Sequence, residues 1–305
     1  MKSINLGSRK VLSTVLKLII PAMIAQFINV LYSIVDRMYV GNIEGIGDTA
    51  LAAVGVCAPI TTLISSFAFL IGTGGAPIFA MALGEGREDN AKKILSNAAY
   101  ALVVLAVIVA AGFLIFAKPV LYPAGSLFSI TATGLNQYIT AQGYSGIGMT
   151  TTVIGAVANI ALDPLFIFVF RMDVAGAALA TILSQFLSFL FVVIFLRLKG
   201  TKIRLTFAKP DMHVIGRIIK LGISPFIIMA SDSLIIIVQN AILQSRGGAD
   251  GDTWITVSTV VQAFFSLISM PMLGISTGSQ PVLSYAYGAK NGALVKRAEM
   301  WITIA

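Results

Sequence analysis

The stretch NIALDPLF, residues 159 to 166, lies inside a run of about twenty residues that is otherwise almost wholly apolar. It places an ionisable side chain, Asp163, directly before the helix-breaking Pro164. A carboxylate followed by proline is not expected in an ordinary buried core helix, because an unpaired buried charge is costly. The question is which environment tolerates this acid.

The composition indicates that the environment is a lipid bilayer. The chain is 57% hydrophobic and 11% charged, whereas ordinary soluble domains are about 25% charged. Its mean hydropathy is +0.91. Apolar blocks recur along the sequence, and each approaches the roughly 20 residues that cross a bilayer. The sequence therefore predicts an all-α, polytopic membrane helical bundle.

The hydropathy pattern predicts seven strong spans and one weaker segment. The strong spans lie at about 15–41, 51–82, 94–117, 149–170, 174–197, 222–244 and 254–286. The weaker segment, 127–142, is short and polar for a span. An odd number of crossings must separate the outer loop near Lys118 from the basic loop at 197–220. We therefore expect the weaker segment to cross as a shortened fourth span.

The net charge of +8 reflects membrane topology rather than nucleic-acid binding. Lys and Arg cluster in short loops beside apolar runs, where they set orientation. This predicts a multi-pass protein of the cytoplasmic (cell) membrane with a cytoplasmic N-terminus. The single cysteine, Cys57, rules out an intrachain disulfide. The sequence contains no Walker P-loop, GxSxG or HExxH motif, so we expect neither an enzyme nor a cofactor other than a coupling ion.

An internal repeat relates the two ends of the chain. A shift of 204 residues superposes the first two spans on the last two without gaps. The matched residues include Pro21 with Pro225, Gly74 with Gly278, Pro77 with Pro281 and Gly84 with Gly288. Both copies start on the same side, so the repeat is parallel. We expect an N-terminal transmembrane lobe at 1–200, with the fourth span shortened, followed at 201–305 by a cytoplasmic linker loop and the start of a truncated second lobe.

Polar residues inside the spans form three short stripes. On the first span, Gln26, Asn29, Ser33 and Asp36 recur at steps of three and four, with Tyr32 and Tyr39 beside them. On later spans, Asn159 and Asp163 are four residues apart, as are Thr181 and Gln185. Residues four apart share one helix face. Each pair is therefore expected to project together from its helix.

The depths of these stripes agree. At 1.5 Å per residue, Asp36, Asp163 and Thr181 are all roughly 8 to 12 Å below the outer face. A shared aqueous pocket or ion site is therefore expected there. Two carboxylates in a low-dielectric medium raise each other's pKa, so one of them could exchange a proton near neutrality. With Asn159 and Thr181 as neutral oxygen donors, the same cluster could instead hold Na⁺ at Asp36 and Asp163.

Simpler interpretations of the two acids stay open at this level. Asp36 could form only an interfacial ion pair with Arg37, and Asp163 could cap a broken half-helix. However, Pro164 leaves a backbone carbonyl without its usual donor, and such a carbonyl is tolerated where it lines a cavity. Asp232 is the one acid inside the spans of the second lobe. It could coordinate a cation, line a substrate path or lie in a solvated notch.

Four motifs resemble the MATE (multidrug and toxic compound extrusion) family, in a MepA-like branch. They are PAMIAQFINVLYSIVDRMYVG, TGGAPIFAMALGEG, NIALDP and VAGAALATILSQ. The resemblance covers nearly the whole chain, and the motifs are specific as a set. It implies twelve spans in two six-helix lobes. The family's N-lobe cation site maps onto Asp36, Asn159, Asp163 and Thr181. The family's fourth span lacks its first half here, between about Pro123 and Ser126.

The resemblance implies an antiporter that exports cationic amphipathic drugs, coupled to H⁺ or Na⁺, with helix-bending positions at Pro21, Pro164 and Pro225. The expected partners are small cationic molecules and the lipid bilayer, and the chain is expected to be a monomer. Two other functions stay open. A lipid-linked oligosaccharide flippase shares this architecture, but it would be expected to carry more Arg and Lys in its cavity. A non-transporting truncated fragment is the third possibility.

Overall fold

The computed structural model describes residues 3–8, 10–116, 121–198, 200–206 and 209–304, and these are organised as helices joined by short turns. The helices are α1 (Val11–Gly41), α2 (Gly47–Gly84), α3 (Glu88–Phe116), α4 (Leu121–Ala141), α5 (Ser145–Pro164), α6 (Asp173–Arg197), α7 (Met212–Arg246), α8 (Gly251–Gly288) and α9 (Gly292–Ile304). A π-helical segment, Leu165–Val169, continues α5. The prediction of an all-α membrane helical bundle is confirmed.

Seven helices in the described part of the chain are long and apolar enough to cross a membrane. They coincide with the seven predicted strong spans, but several begin earlier than predicted. The clearest case is α7, predicted from 222, which begins at Met212. Its first turns carry Arg217 and Lys220, whose long stems can lie along apolar surface while the charges stay in the interface. A search for apolar runs starts only after such residues.

The weaker fourth segment also forms a helix. The predicted segment began at 127, whereas α4 begins at Leu121 and has 21 residues, a length of about 31 Å. Its polarity is explained by its position, because α4 packs against α2, α3, α5 and α6. The Tyr138 hydroxyl is buried and donates to the carbonyl of Ile71 at 2.9 Å. Lys118, near which the sequence places an outer loop, lies outside the described residues.

The core of the first half is built from α2, α3, α4 and α6. Small side chains on α3, including Ala91, Ala98 and Ala106, are fully buried there and allow helices to approach closely. The rings of Phe79 and Tyr138 pack edge to face with centroids 5.6 Å apart. This rigid core holds α5 and α6 in place on one flank and α2 on the other.

The repeat found in the sequence corresponds to a reciprocal packing of helices. Helix α1 packs on α8, α2 packs on α7, and α2 also packs on α8. A Cβ added at Gly84 would collide with the carbonyl oxygen of Tyr285, and one added at Gly288 would collide with that of Met81. Met81 and Tyr285 are themselves related by the 204-residue shift. The two contacts are therefore copies of each other across a pseudo-two-fold axis.

The segment between α6 and α7 packs against the basic end of the first half. The hydroxyl of Tyr144 donates to the carbonyl of Gly200 at 3.1 Å, and the amide of Ile203 donates to Gln142 Oε1 at 2.9 Å. Asp211 ends this segment and caps α7 by accepting from the amides of His213 and Val214. The domain limits predicted at 200 and 201 stay a prediction.

Gly84 offers a direct check of the packing across the axis. We expect Gly84→Val to destabilise the protein by about 1–3 kcal/mol, because the added side chain overpacks a backbone contact. The matched control is Gly112→Ala, since a Cβ at Gly112 meets nothing within 4 Å. The measurement is the thermal unfolding midpoint in detergent. An unchanged midpoint for Gly84→Val would contradict the reciprocal packing.

Asp211 gives a prediction about pH. Its carboxyl lies 2.5 Å from Lys93 Nζ; this contact and the capped amides lower the pKa of Asp211 below its ordinary value of 3.8. A carboxyl with a lowered folded-state pKa stabilises the fold above its ordinary pKa, and this contribution is lost as the pH falls through the lower value. We therefore expect faster amide exchange at His213 and Val214 in Asp211→Ala. Asp211→Ser, which keeps a capping oxygen, should protect these amides at low pH better than Ala does.

Candidate functional site

The polar stripe of α1 faces the first half of the molecule, where α1 packs against α5. Gln26 and Asn29 are half-buried, and the Asn29 amide donates to Gln26 Oε1 at 3.4 Å. Tyr39 lies near the end of α1 that is far from the basic loops, which we call the outer end. Its ring packs edge-on to Phe168 with centroids 6.2 Å apart. Asp36 lies between these two ends of the stripe.

Asn159 and Asp163 project from α5 and are 1% and 0% exposed. The Asn159 amide donates to Asp163 Oδ1 at 3.2 Å and to Thr181 Oγ1 on α6 at 3.5 Å. The Thr181 hydroxyl in turn donates to the carbonyl of Ala177 at 3.0 Å. The two α5 residues meet because they are one helical turn apart, and Asn159 joins α5 to α6.

The two acids face each other across the α1–α5 contact. The carboxyl groups of Asp36 and Asp163 lie within hydrogen-bonding reach of one another, and Tyr32 lies close enough to interact with both. Three buried oxygens of this cluster receive no hydrogen bond from the described residues: Asp36 Oδ1, Asp163 Oδ2 and Asn159 Oδ1. Unsatisfied buried acceptors are costly. A cluster of this kind is chemically suited to take up a proton or a monovalent cation.

The backbone changes its helical type beside the cluster. Pro164 lacks an N–H and cannot continue the α-helical ladder, and the next residues form the π segment Leu165–Val169. There the amide of Phe170 donates to the carbonyl of Leu165 at 2.9 Å. Segments of this type are frequent at functional sites. Asp163 thus lies at the junction of the two helical types.

The structure bears on the two simpler interpretations of the acids. Arg37 directs its guanidinium to the carbonyl of Thr259 on α8, at 3.3 Å, so its hydrogen bond is made across the molecule. The Asp163 carboxyl accepts the side-chain amide of Asn159 within α5. Both acids therefore make contacts other than those of an interfacial ion pair or a helix cap.

The remaining predicted residues lie apart from the cluster. Gln26 and Asn29 are about two to three helical turns away from Asp36 along α1. Gln185 is half-buried beside α4, where its Oε1 lies 3.8 Å from the Cβ position of Gly125. Asp232 is exposed on α7, away from the other acids. The role of these residues in a cavity or second cation site stays a prediction.

The three prolines expected to bend helices have different surroundings. Pro21 and Pro225 lie inside α1 and α7, which continue through them, and they occupy equivalent positions in the repeat. Pro164 ends α5. The dynamic role of all three stays a prediction.

Ser184 was not singled out from the sequence. It is 4% exposed, and its hydroxyl donates to the carbonyl of Thr181 at 2.8 Å, so it secures the turn that carries Thr181. The available signal was its spacing of three residues from Thr181. A serine in an apolar helix commonly bonds its own backbone, so that spacing carries little information.

The fold and the cluster define a polytopic helical membrane protein whose two ends are related by an internal repeat and whose first half buries a carboxyl pair. The MatE family model matches residues 21–133, which include Asp36. In agreement with this match, the relatives below and the sequence motifs, the chain belongs to the MATE family of transporters.

Two curated relatives are called multidrug export protein MepA. The one from Staphylococcus haemolyticus is 25% identical over 292 residues, which are 88% of this chain and 63% of the relative. The one from Staphylococcus aureus (strain N315) is 25% identical over 296 residues, 90% of this chain and 64% of the relative. The chain thus spans a little under two thirds of the length of these relatives.

Solved structures are similar over nearly the whole chain. The MATE multidrug transporter DinF-BH, solved as a complex with a drug-like ligand, has a TM-score of 0.91 and is 29% identical; the match covers 99% of this chain and 71% of that one. A multidrug resistance MATE family transporter in an outward-facing conformation has a TM-score of 0.87 at 25% identity, and the match covers 100% of this chain and 71% of that one.

The Asn159 amide provides a test of the site's geometry. We expect Asn159→Leu to destabilise the protein by about 1–3 kcal/mol, because the buried Asp163 carboxyl loses the side-chain amide that donates to it. Thr181→Val should have a smaller effect, since its contact with Asn159 is 3.5 Å long. Thermal unfolding in detergent measures both. A larger loss for Thr181→Val would contradict the central position of Asn159.

Proposed function

We propose that this chain belongs to an ion-coupled efflux antiporter, a transporter and not an enzyme, which exports cationic amphipathic molecules across the cytoplasmic membrane. The observation that carries the proposal is the carboxyl pair of Asp36 and Asp163. The two acids come from different helices, and buried oxygens in their cluster receive no hydrogen bond from the described residues. Acids inside membrane spans are expensive and are retained mainly for function.

The coupling step would take place at this pair. Two carboxylates in a low-dielectric site repel each other when both are ionised, so loading with H⁺ or Na⁺ relieves the repulsion. Asn159 and Thr181 would supply neutral oxygens to the same ion. Loading would favour one arrangement of α1 relative to α5, and unloading would favour another. Transport follows if the drug and the ion prefer opposite arrangements.

The substrate class rests on family relationships. Curated relatives are named as multidrug export proteins, and similar MATE structures were solved with drug-like ligands bound. Aromatic and Met side chains suit a wall that adapts to several ligands. The orientation with a cytoplasmic N-terminus follows from the basic loops, and a monomer in the bilayer is the expected state.

The proposal is tested with Asp36→Asn and Asp163→Asn in the full-length protein. Each change removes a titratable, cation-binding oxygen while preserving shape, and we expect ethidium efflux to fall by about tenfold or more, because the binding contribution of a buried charge is of the order of 1.4 kcal/mol or larger. Efflux is measured in cells or vesicles under imposed pH and Na⁺ gradients, applied separately. The gradient that drives the unmodified protein identifies the coupling ion.

The matched control is Asp89→Asn, an exposed acid in the first turn of α3. It should transport normally. Elution by size-exclusion chromatography confirms that each variant is folded. Normal efflux in both Asp36→Asn and Asp163→Asn would sink the assignment of the coupling site.

A further inference from the structure

Two hydrogen bonds join the outer ends of the repeated halves. Arg37 on α1 donates from its guanidinium to the carbonyl of Thr259 on α8, at 3.3 Å. Asn240 on α7 donates from its amide to the carbonyl of Gly55 on α2, also at 3.3 Å. Each bond runs from the first helix of one copy to the second helix of the other.

The two bonds are related by the internal repeat. Gly55 and Thr259, whose carbonyls accept, are equivalent under the 204-residue shift. Asn240 is the counterpart of Asp36, so Arg37 lies one residue beyond the equivalent donor position. The same axis thus relates these outer contacts and the reciprocal contacts of the glycines at the basic end. The first copy uses its equivalent position for a carboxylate, and the second copy uses it for a bond across the axis.

The bonds lie in a buried and close-packed part of the interface. Asn240 and Thr259 are 7% and 8% exposed, and Gly55 is buried. A Cβ added at Gly55 would lie 3.6 Å from the Cβ of Thr259. A donor withdrawn from such a place leaves a backbone carbonyl with one bond fewer in a medium that supplies none. The contact therefore opposes separation of α2 from α8 at this end.

We propose that Arg37 and Asn240 are positioning residues that act as a latch holding the outer ends of the two halves together. An ion-coupled exporter must open and close this end in each cycle, and the latch makes opening depend on breaking two specific bonds. Because Arg37 directly follows Asp36 in α1, a movement of α1 at the carboxyl pair would also move the latch. The latch itself does not depend on the proposed function, since it is a property of the interface.

The test uses a disulfide as a reporter of closure. The 3.6 Å separation at Gly55 and Thr259 lies within the range of about 3.5–4.5 Å that a disulfide requires. Gly55→Cys and Thr259→Cys are combined with Cys57→Ser, which removes the single native thiol. The protein is oxidised in membrane vesicles for increasing times. Free thiols are then labelled with a polyethylene-glycol maleimide and counted by gel shift.

We expect the cysteine pair to form a disulfide readily, and Arg37→Gln or Asn240→Ala to slow its formation by about fivefold each, as the loss of a buried hydrogen bond of ordinary strength implies. Arg37→Lys, which keeps a charged donor, should restore part of the rate. Arg246→Gln removes an exposed basic residue at the outer end of α7 and should leave the rate unchanged.

Rates for Arg37→Gln and Asn240→Ala that both equal the rate for Arg246→Gln would overturn the latch. A second measurement avoids the engineered cysteines. Hydrogen exchange of the outer ends of α1, α2, α7 and α8 should be faster in Arg37→Gln than in Arg246→Gln, and equal exchange in the two proteins would overturn the proposal as well. Neither measurement requires transport, so a failed latch is distinguished from a failed coupling site.

Discussion

Hydrocarbon offers no hydrogen-bonding partner, and this one constraint shapes most of the molecule. Each backbone polar group inside the membrane must be satisfied by the chain itself, which selects helices. Ser and Thr side chains on these helices mostly bond their own preceding turn, as Thr181 does with Ala177. A polar group that is not satisfied in this way stands out. The unsatisfied oxygens of Asp36, Asn159 and Asp163 are prominent for this reason.

The second constraint is close packing where helices cross. Glycines allow this approach in both copies of the repeat, because a side chain at Gly84 or Gly288 would collide with a backbone carbonyl of the opposite helix. Van der Waals contact between small residues is a main source of helix association in lipid. The pseudo-two-fold axis is thus set by small residues at the basic end and by donated hydrogen bonds at the other. Helices α2 and α8 touch at both ends.

These two constraints meet in α1. Its polar stripe supplies a carboxyl to the first half, and its next residue, Arg37, reaches α8 in the other copy. The carboxyl pair joins α1 to α5, and Asn159 joins α5 to α6. A change of charge at the pair therefore acts on a helix that has contacts in both halves. This arrangement provides a physical route from ion binding to the relative position of the halves.

The sequence by itself determined the class of fold, the seven strong spans, the repeat and the acids in the first half, because each is a local or periodic property of hydropathy and spacing. Asn159 and Asp163 could be paired in advance, since one helical turn fixes their separation. The beginning of α7 could not, because Arg217 and Lys220 interrupt the apolar run. Only the tertiary structure decided that Asp36 meets Asp163, that Arg37 faces Thr259 and that the chain after Pro164 becomes a π segment. The reason is that these features depend on the rotation of each helix about its axis and on its crossing with neighbours, and both are set by packing between residues far apart in the chain.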